Sequence, residues 1–511
     1  TAPMTRACWK FAPRALALGA LFFGASSWAA CSQSREPVPG ETAGSADARP
    51  PRIILLLSLD TLRPDHLGFY GYERFTSPVL DGIARGGVVF QDASAAAPWT
   101  LPSHASMLTG LFPLRHRVVS AKTRLPDAVP TIAALLAAHG YDTAAVVNSD
   151  WLKKENFEFT RDFAKYLWAD TTLDRVSSNT WVTDQAIDWI SSLDEQPLFL
   201  FVHYYDLHSD YVSEPYFEKL FVGPYGGTVD GTGWQLKQAV LEDDYLEFCH
   251  RSFDPKQCTF SSDYVVDESV QKRHFDEADV RHLIDLYDAQ IRQLDTELSR
   301  LFSELRKRGL LEQTLLVVTS DHGEEFMEHG RVEHFIPTYQ QTLRIPLMIR
   351  GPGIPRGVQV EAPVSSVDIV PTLLQLAGAP VPLDLDGLDL APLWSGGGVG
   401  PFEQRFLYAE AAGGIQYIFF APGFFPVFRS VRQGRYKLIY ESKGGTHALY
   451  DLEADPAETI DVTEREPEIA SRLSQVMTAR YQDFRPEPET GSEVVLDPED
   501  LERLRALGYV P

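Results

Sequence analysis

Trp99-Thr100-Leu101-Pro102-Ser103-His104-Ala105-Ser106-Met107-Leu108-Thr109-Gly110 decides how the rest of this chain is read. The stretch predicts a loop that turns into a helix. Pro98 and Pro102 stand near its start, where a missing N–H costs little. Thr100 or Ser103 offers a hydroxyl to cap the orphan N–H groups, and Gly110 offers a left-handed close at the far end. A hydroxyl at a helix start faces the positive end of the helix dipole, where an anion would be held. Taken alone, a threonine there is simply an N-cap, and its neighbours in the fold must give it any chemistry.

Those neighbours sit at the ends of three apolar runs. Ile53 to Leu59 ends at Asp60-Thr61, and Pro197 to Val202 ends at His203 with Asp206 and His208 just beyond. Leu315 to Ser320 ends at Asp321-His322-Gly323-Glu324. Continuous apolar runs of this length predict strands buried on both faces of a parallel sheet. In doubly wound α/β sheets the carboxyl edge is where ligands bind. A helix over Thr131 to His139 stops at Gly140, and Thr143 to Val147 reads as the next strand. The clearest helix runs from about Val280 to Arg308, with Leu283, Leu286, Tyr287, Ile291, Leu294 and Leu298 at helical spacing and Gly309 closing it. Helix before strand, repeated, implies crossover units and a largely parallel sheet.

Two regions break that pattern. Residues 209–274 hold Gly226-Gly227, Gly231, Gly233, Cys249 and Cys258 without sustained periodicity, as an insertion that is either a lid or a structural excursion. From Pro401 the pattern turns to short strands: Phe425 to Arg432, Tyr436 to Tyr440 and Ala448 to Leu452, with a turn at Gln433-Gly434. Helices near Glu466 to Tyr481 and Pro498 to Leu507 would complete a smaller antiparallel subdomain over 401–511, beside a main α/β domain over 52–400.

Charge narrows the partners. The 511 residues carry 46 Lys and Arg against 71 Asp and Glu, a net charge of −25, which argues against nucleic acid. An anionic substrate gains nothing from such a field, so an anion site must be locally positive. At the amino end Arg6, Lys10 and Arg14 precede the apolar run Ala15 to Gly24, too short to span a membrane comfortably. Trp28-Ala29-Ala30-Cys31 resembles the lipobox of bacterial lipoprotein signal peptides. Residues 1–31 are therefore expected to be a signal peptide, with Cys31 either lipidated as a membrane anchor or lying near a plain secretory cleavage site. Residues 32–51, rich in Ser, Pro, Gly, Ala and Glu, read as a flexible tether. The expected location is the periplasm or cell envelope. In an exported chain Cys249 and Cys258 are either a disulfide pair or two free thiols.

The opening stretch resembles the signature of the sulfatase family: Cys or Ser, any residue, Pro-Ser-Arg, and a run closing on Thr-Gly. Here it stands as Thr100-Leu101-Pro102-Ser103-His104 followed by Leu108-Thr109-Gly110. Asp60-Thr61-Leu62-Arg63-Pro64-Asp65-His66, Asp321-His322-Gly323-Glu324, Arg344-Ile345-Pro346-Leu347, Asp368-Ile369-Val370-Pro371-Thr372 and Leu449-Tyr450-Asp451-Leu452 also look familial, in family order. The resemblance implies an alkaline-phosphatase-like α/β fold and hydrolysis or transfer of sulfuryl or phosphoryl groups at a divalent metal. It implies Asp60, Asp321 and His322 as ligands of one ion (Ca, Mn, Zn or Mg), with Thr100 as nucleophile and fourth ligand. Three oxygens and one imidazole suit such hard or borderline cations. His203 and His208 are expected to grip substrate oxygens or protonate the leaving group. His334 falls where the family often has a Lys or His near the anion. His104 replaces the motif's Arg, which removes a guanidinium fork from the nucleophile. Arg63, Asp65 and His66 are read as a loop salt-bridge network. Asp206 and His208 do not have the spacing of a second metal site.

Thr100 shapes the expected chemistry. Family sulfatases convert the Cys or Ser into a formylglycine whose hydrate expels sulfate by collapsing to the aldehyde; a threonine sulfate has no such route. In-line attack at phosphorus needs none. The expectation is a metal-dependent hydrolase of anionic esters of glycans, lipids or small molecules, with phosphoric and phosphonic esters ahead of sulfuric ones. The alternatives are a transferase of phosphorylated head groups to lipid or glycan, and a non-catalytic binder of sulfated or phosphorylated glycan.

Overall fold

No side chain of Ile53–Leu59 reaches solvent, and this strand, β1, is the spine of the molecule. The computed structural model describes residues 50–120, 123–153, 157–158, 161–169, 175–240, 259–261, 264–265, 272–334, 338–411 and 427–482. The signal-like segment with Cys31, all but the last two tether residues, Cys249, Cys258 and the expected helix Pro498 to Leu507 lie outside them.

After β1 come α1 (Pro78–Ala84), β2 (Val88–Ser94), α2 (Thr100–Thr109), α3 (Ile132–Ala138), β3 (Asp142–Val147), β4 (Lys165–Trp168), α4 (Arg175–Ser191) and β5 (Leu198–Tyr204). The long helix α5 (Glu277–Lys307) precedes β6 (Thr314–Thr319), and a two-stranded hairpin follows from β7 (Glu325–Phe326) and β8 (Val332–Glu333). Then come β9 (Arg344–Arg350), β10 (Val358–Val360), β11 (Val364–Ser365) and α6 (Ile369–Ala377). The main sheet runs β10-β2-β9-β6-β1-β5-β3-β4, with β11 continuing beside β2.

The largely parallel sheet is found, with one reversal. β1 pairs parallel with both β5 and β6, as do β3 with β5 and with β4. β9 lies antiparallel between β6 and β2. Its register slips between Ile345 and Leu347, at Pro346, which has no N–H for the ladder. The Thr319 hydroxyl donates to the Pro346 carbonyl at 2.8 Å, so the break does not strand that oxygen.

β1 feeds both halves of the core. Ile54 and Leu56 join the cluster with Leu101, Met107 and Leu108 of α2. Ile53, Leu55, Leu57 and Leu59 join the opposite cluster with Leu283, Tyr287, Leu294 and Leu298 of α5. Each such leucine contributes about 1.5–3 kcal/mol of apolar burial. α5 starts earlier than the leucine spacing suggests, because Asp276 caps it in a reciprocal box with Asp279. The insertion contains short helices Pro215–Phe221 and Gly233–Val240 and a strand pair, Thr259–Ser261 with Tyr264–Val265.

The carboxyl-terminal part is an antiparallel sheet of β12 (Leu407–Ala411), β13 (Phe428–Gln433), β14 (Tyr436–Glu441) and β15 (Thr446–Asp451) in that order. The first of these strands is an addition to the three read from sequence. Helix α7 (Pro467–Tyr481) places Leu473 and Met477 against Val431, Leu438 and Leu449. Polar links tie this sheet to the larger one. Arg432 pairs with Asp92, and Glu458, held by Lys437 at 2.8 Å, accepts the N–H of Gln340 at 2.5 Å. Arg405 forks onto Asp368 at 2.7 and 2.5 Å. The fully buried Asp368 also accepts N–H bonds from Ser365 and Leu388. Arg405→Ala would leave that carboxylate buried without its counter-charge, an expected loss of about 3–5 kcal/mol in chemical denaturation. Arg405→Lys should recover only part of the loss, because an ammonium cannot supply both prongs of the fork.

Candidate active site

Parallel pairing puts the polar strand ends level. Ser58 of β1 is in register with His203 of β5 on one side and Thr319 of β6 on the other. Asp60, His203, Asp321 and His322 therefore converge at one edge, all fully buried. Helix α2 begins there. Its N-cap is Trp99 rather than Thr100 or Ser103, and no side chain caps it. The Ser103 hydroxyl donates instead to the Asp321 carbonyl at 2.5 Å, and Thr100 Oγ1 lies 3.4 Å from His322 Nε2. Gly110 does close the helix, at φ 72°, with its N–H on the Ser106 carbonyl.

The cluster has the chemistry of a cation site. Ligand atoms of Asp60, Asp321 and His322 all lie within 4.8 Å of one another. His322 turns Nδ1 to the Gly323 carbonyl at 2.9 Å, which leaves Nε2 toward Asp321 Oδ2 at 3.3 Å and Asp60 Oδ1 at 3.7 Å. Asp321 Oδ1 accepts the N–H groups of Thr61 and His322, whereas the buried Oδ2 accepts no hydrogen bond. Burial, then the nearby charge of Asp60, pushes the Asp321 carboxyl up to about 6. Burial pushes the His322 imidazole down to about 3, so it is a neutral lone-pair donor. Two carboxylates facing each other out of water and an orphaned oxygen fit a divalent cation.

The other histidines divide by what their nitrogens touch. His104 donates its Nδ1–H to the Thr100 carbonyl at 2.8 Å and accepts the Ser58 hydroxyl on Nε2 at 2.9 Å, with its ring edge-on to His203. It touches Thr100 through the backbone and braces the start of α2. His104, His203 and Asp321 also share a ligand-sized space, but both His104 nitrogens are engaged. His203 Nε2 contacts Asp60 Oδ2 at 3.2 Å. His334 takes its Nδ1 to Glu324 Oε1 at 3.1 Å and packs its ring 4.3 Å from that of His322. His208 stacks on Tyr205 and meets His334 edge-on at 4.8 Å. Asp206 is buried too.

The loop network is as expected. Arg63 pairs with Asp65 at 2.6 Å and Glu328 at 2.5 Å and donates to the Glu324 carbonyl, while His66 holds Asp288 at 2.7 Å. Two supporting residues had weaker sequence signals. Ser58 is the one hydroxyl in an otherwise apolar strand, and Glu324 stands two residues past His322.

The hairpin that delivers His334 is pinned by His329. Its Nδ1 lies 2.9 Å from Glu325 and its Nε2 2.9 Å from the Ala457 carbonyl, with Tyr339 stacked on the ring. Burial works against its charge, but the hydrogen bond to Glu325 and that group's charge outweigh it and raise the pKa. A raised histidine pKa gives stability that is complete below about 6.5 and lost as pH rises through the folded value. His329→Asn should flatten stability against pH above that point, and the wild-type ring should titrate above the ordinary value by NMR.

Comparison with known proteins shows the family. The sulfatase family model matches residues 52–379, and that of the N-sulphoglucosamine sulphohydrolase carboxyl-terminal region matches 328–484. Arylsulfatase K of Bos taurus is 28% identical over 475 residues, covering 87% of this chain and 85% of the relative. Arylsulfatase A of Homo sapiens is 29% identical over 456 residues, covering 85% and 83%. Among solved structures, a protein in complex with its substrate D-glucosamine-2-N,6-O-disulfate superposes with a TM-score of 0.66 at 22% identity, covering 86% of this chain and 100% of that one. A phosphonate monoester hydrolase of Agrobacterium radiobacter gives 0.65 at 20% identity, covering 88% and 100%. These two likenesses are of fold. The match to more than half of the chain, together with relatives along nearly all of it, places this protein in the sulfatase family, as a sulfatase-like hydrolase.

Proposed function

We propose that this protein is a metal-dependent hydrolase that uses Thr100 as nucleophile on singly charged oxyanion esters, phosphodiesters and phosphonate monoesters ahead of sulfate esters. The observation that carries the reading is the Thr100 hydroxyl at the helix start, 3.4 Å from His322 Nε2 and beside the Asp60–Asp321 pair. Asp60, Asp321, His322 and the Thr100 oxygen would hold the ion, which when bound supplies a lowered hydroxyl pKa and charge neutralisation. Thr100 Oγ releases its proton to solvent and attacks phosphorus as the bond to the leaving oxygen breaks in line. The departing oxygen takes its proton from His208 or His334, the latter held by Glu324. Water then attacks the phosphothreonine, the bond to Oγ breaks, and a proton from that water returns to Oγ to restore the hydroxyl. With no second hydroxyl on its carbon, Thr100 lacks the collapse route that serves sulfate release.

Charge supports the singly charged class. The groups acting on Asp321 are Asp60 and the histidines His104, His203 and His334. Burial holds His104 and His203 near 4, hence neutral. Two carboxylates balance one divalent ion, so the surplus positive charge is the single imidazolium that protonates the leaving group, which matches a monoanionic ester better than a dianionic phosphate monoester. Sulfate esters are the second reading, favoured by the arylsulfatase relatives.

The test sets aryl phosphodiester, phosphonate monoester, phosphate monoester and sulfate ester side by side with Mn, Ca, Zn and Mg. Metal-dependent turnover of the first two is expected, with a loss on the order of 10³ in Thr100→Ala. Equal turnover of sulfate would overturn the preference, and metal binding without turnover would favour a transferase or binding protein. The segment ending at Cys31 supports export as a lipoprotein. Cys31→Ser should move the protein from the membrane fraction to the soluble fraction, and retention on the membrane would refute the anchor.

A further inference from the structure

At the opposite edge of the main sheet, four arginines line an open cavity of about 430 Å³: Arg85, Arg306, Arg350 and Arg356, with Glu312 as the acidic member. We propose that this cavity is a second oxyanion site, which takes a sulfate or phosphate group, free or carried on a saccharide.

The cluster is unusual for a chain with a net charge of −25. Two members have a simpler explanation taken singly. Arg85 is the C-cap of α1 and Arg306 lies in the last turn of α5, where cations offset a helix dipole. That explanation does not reach Arg350, at the end of β9, or Arg356, in the loop beyond it. Both of these pair with the Glu312 carboxylate, Arg356 at 2.8 Å, so the cavity already holds one planar oxyanion between guanidiniums. Arg85 and Arg306 are exposed to solvent at the same cavity, and one carboxylate does not neutralise four cations. The Arg350 guanidinium is set close to the backbone, since a Cβ at Gly86 would stand 3.0 Å from its Nη1. Its side chain is 11% exposed, against 70% for Arg356, so the cavity has one sheltered arginine and more exposed ones around it.

This cavity is separate from the catalytic edge. Arg350 pairs across to Leu316, near the start of β6, whereas Asp321 follows the other end of that strand. Strand rise alone puts those two levels roughly 17 Å apart. No single sulfate or phosphate group can occupy both, and the inference does not depend on which ester the catalytic edge cleaves.

Isothermal titration of the full chain with inorganic phosphate, inorganic sulfate and a sulfated disaccharide tests the proposal. One binding event should survive in Asp321→Ala, which dismantles the catalytic set, and weaken about tenfold or more in Arg85→Gln/Arg306→Gln. Arg306→Gln alone, at an exposed position, should weaken it in the same direction should the double variant be unstable. Binding of the inorganic ions identifies a small-oxyanion site, and binding of the disaccharide alone identifies a saccharide-borne group. An event abolished in Asp321→Ala but untouched by the arginine substitutions would overturn the proposal, as would no binding of any probe at millimolar concentration.

Discussion

Two carboxylates held face to face without water are the constraint on which this structure turns. Asp60 and Asp321 are both fully buried, at the ends of β1 and β6, adjacent strands of one parallel pair. Such an arrangement is unfavourable unless a positive charge stands between them. The surroundings are arranged to tolerate it. Backbone N–H groups take one Asp321 oxygen, His203 leans on Asp60, and Ser103 pins the Asp321 carbonyl to helix α2. The sheet, the helix start and the histidine set all act to keep the two charges in place.

From that pair the site is layered outward. His322 completes a three-donor face, and its ring packs on His334, which is in turn held by Glu324 and packed against His208. His104 replaces a fork with a brace, since both of its nitrogens go to the strand and the helix backbone rather than to the Thr100 hydroxyl. This leaves Thr100 positioned by the helix on which it sits. The hairpin and its His329 clamp tie the outer layer to the segment near Ala457, so the carboxyl-terminal part supports the site through this contact.

What the sequence made legible follows from what burial writes into it. The three apolar runs, and the Asp and His that end them, could be read because a strand buried on both faces must be apolar until it leaves the sheet. The helix α5 showed its leucine spacing, and the antiparallel character of the carboxyl-terminal strands showed in their length and turn. The antiparallel direction of β9 did not, because an apolar run has the same composition in either direction; only Pro346 hinted at a break in its ladder. The capping of α2 differs from the sequence expectation because Thr100 and Ser103 are good caps by type, while in the fold their hydroxyls turn to His322 and to the Asp321 carbonyl. Glu324 and His334 meet across a hairpin, a pairing that spacing along the chain does not display.

β1 also limits how such a site can change over generations. Its odd-numbered residues belong to one core and Ile54 and Leu56 to the other, while Ser58 braces His104. A single inserted or deleted residue would exchange the two faces and turn every one of these side chains the wrong way. The strand cannot slide to accommodate a new ligand. Descendants of this chain can acquire new chemistry by replacing residues beyond the strand ends or by lengthening the loops that leave them, while β1 itself is passed on nearly unaltered.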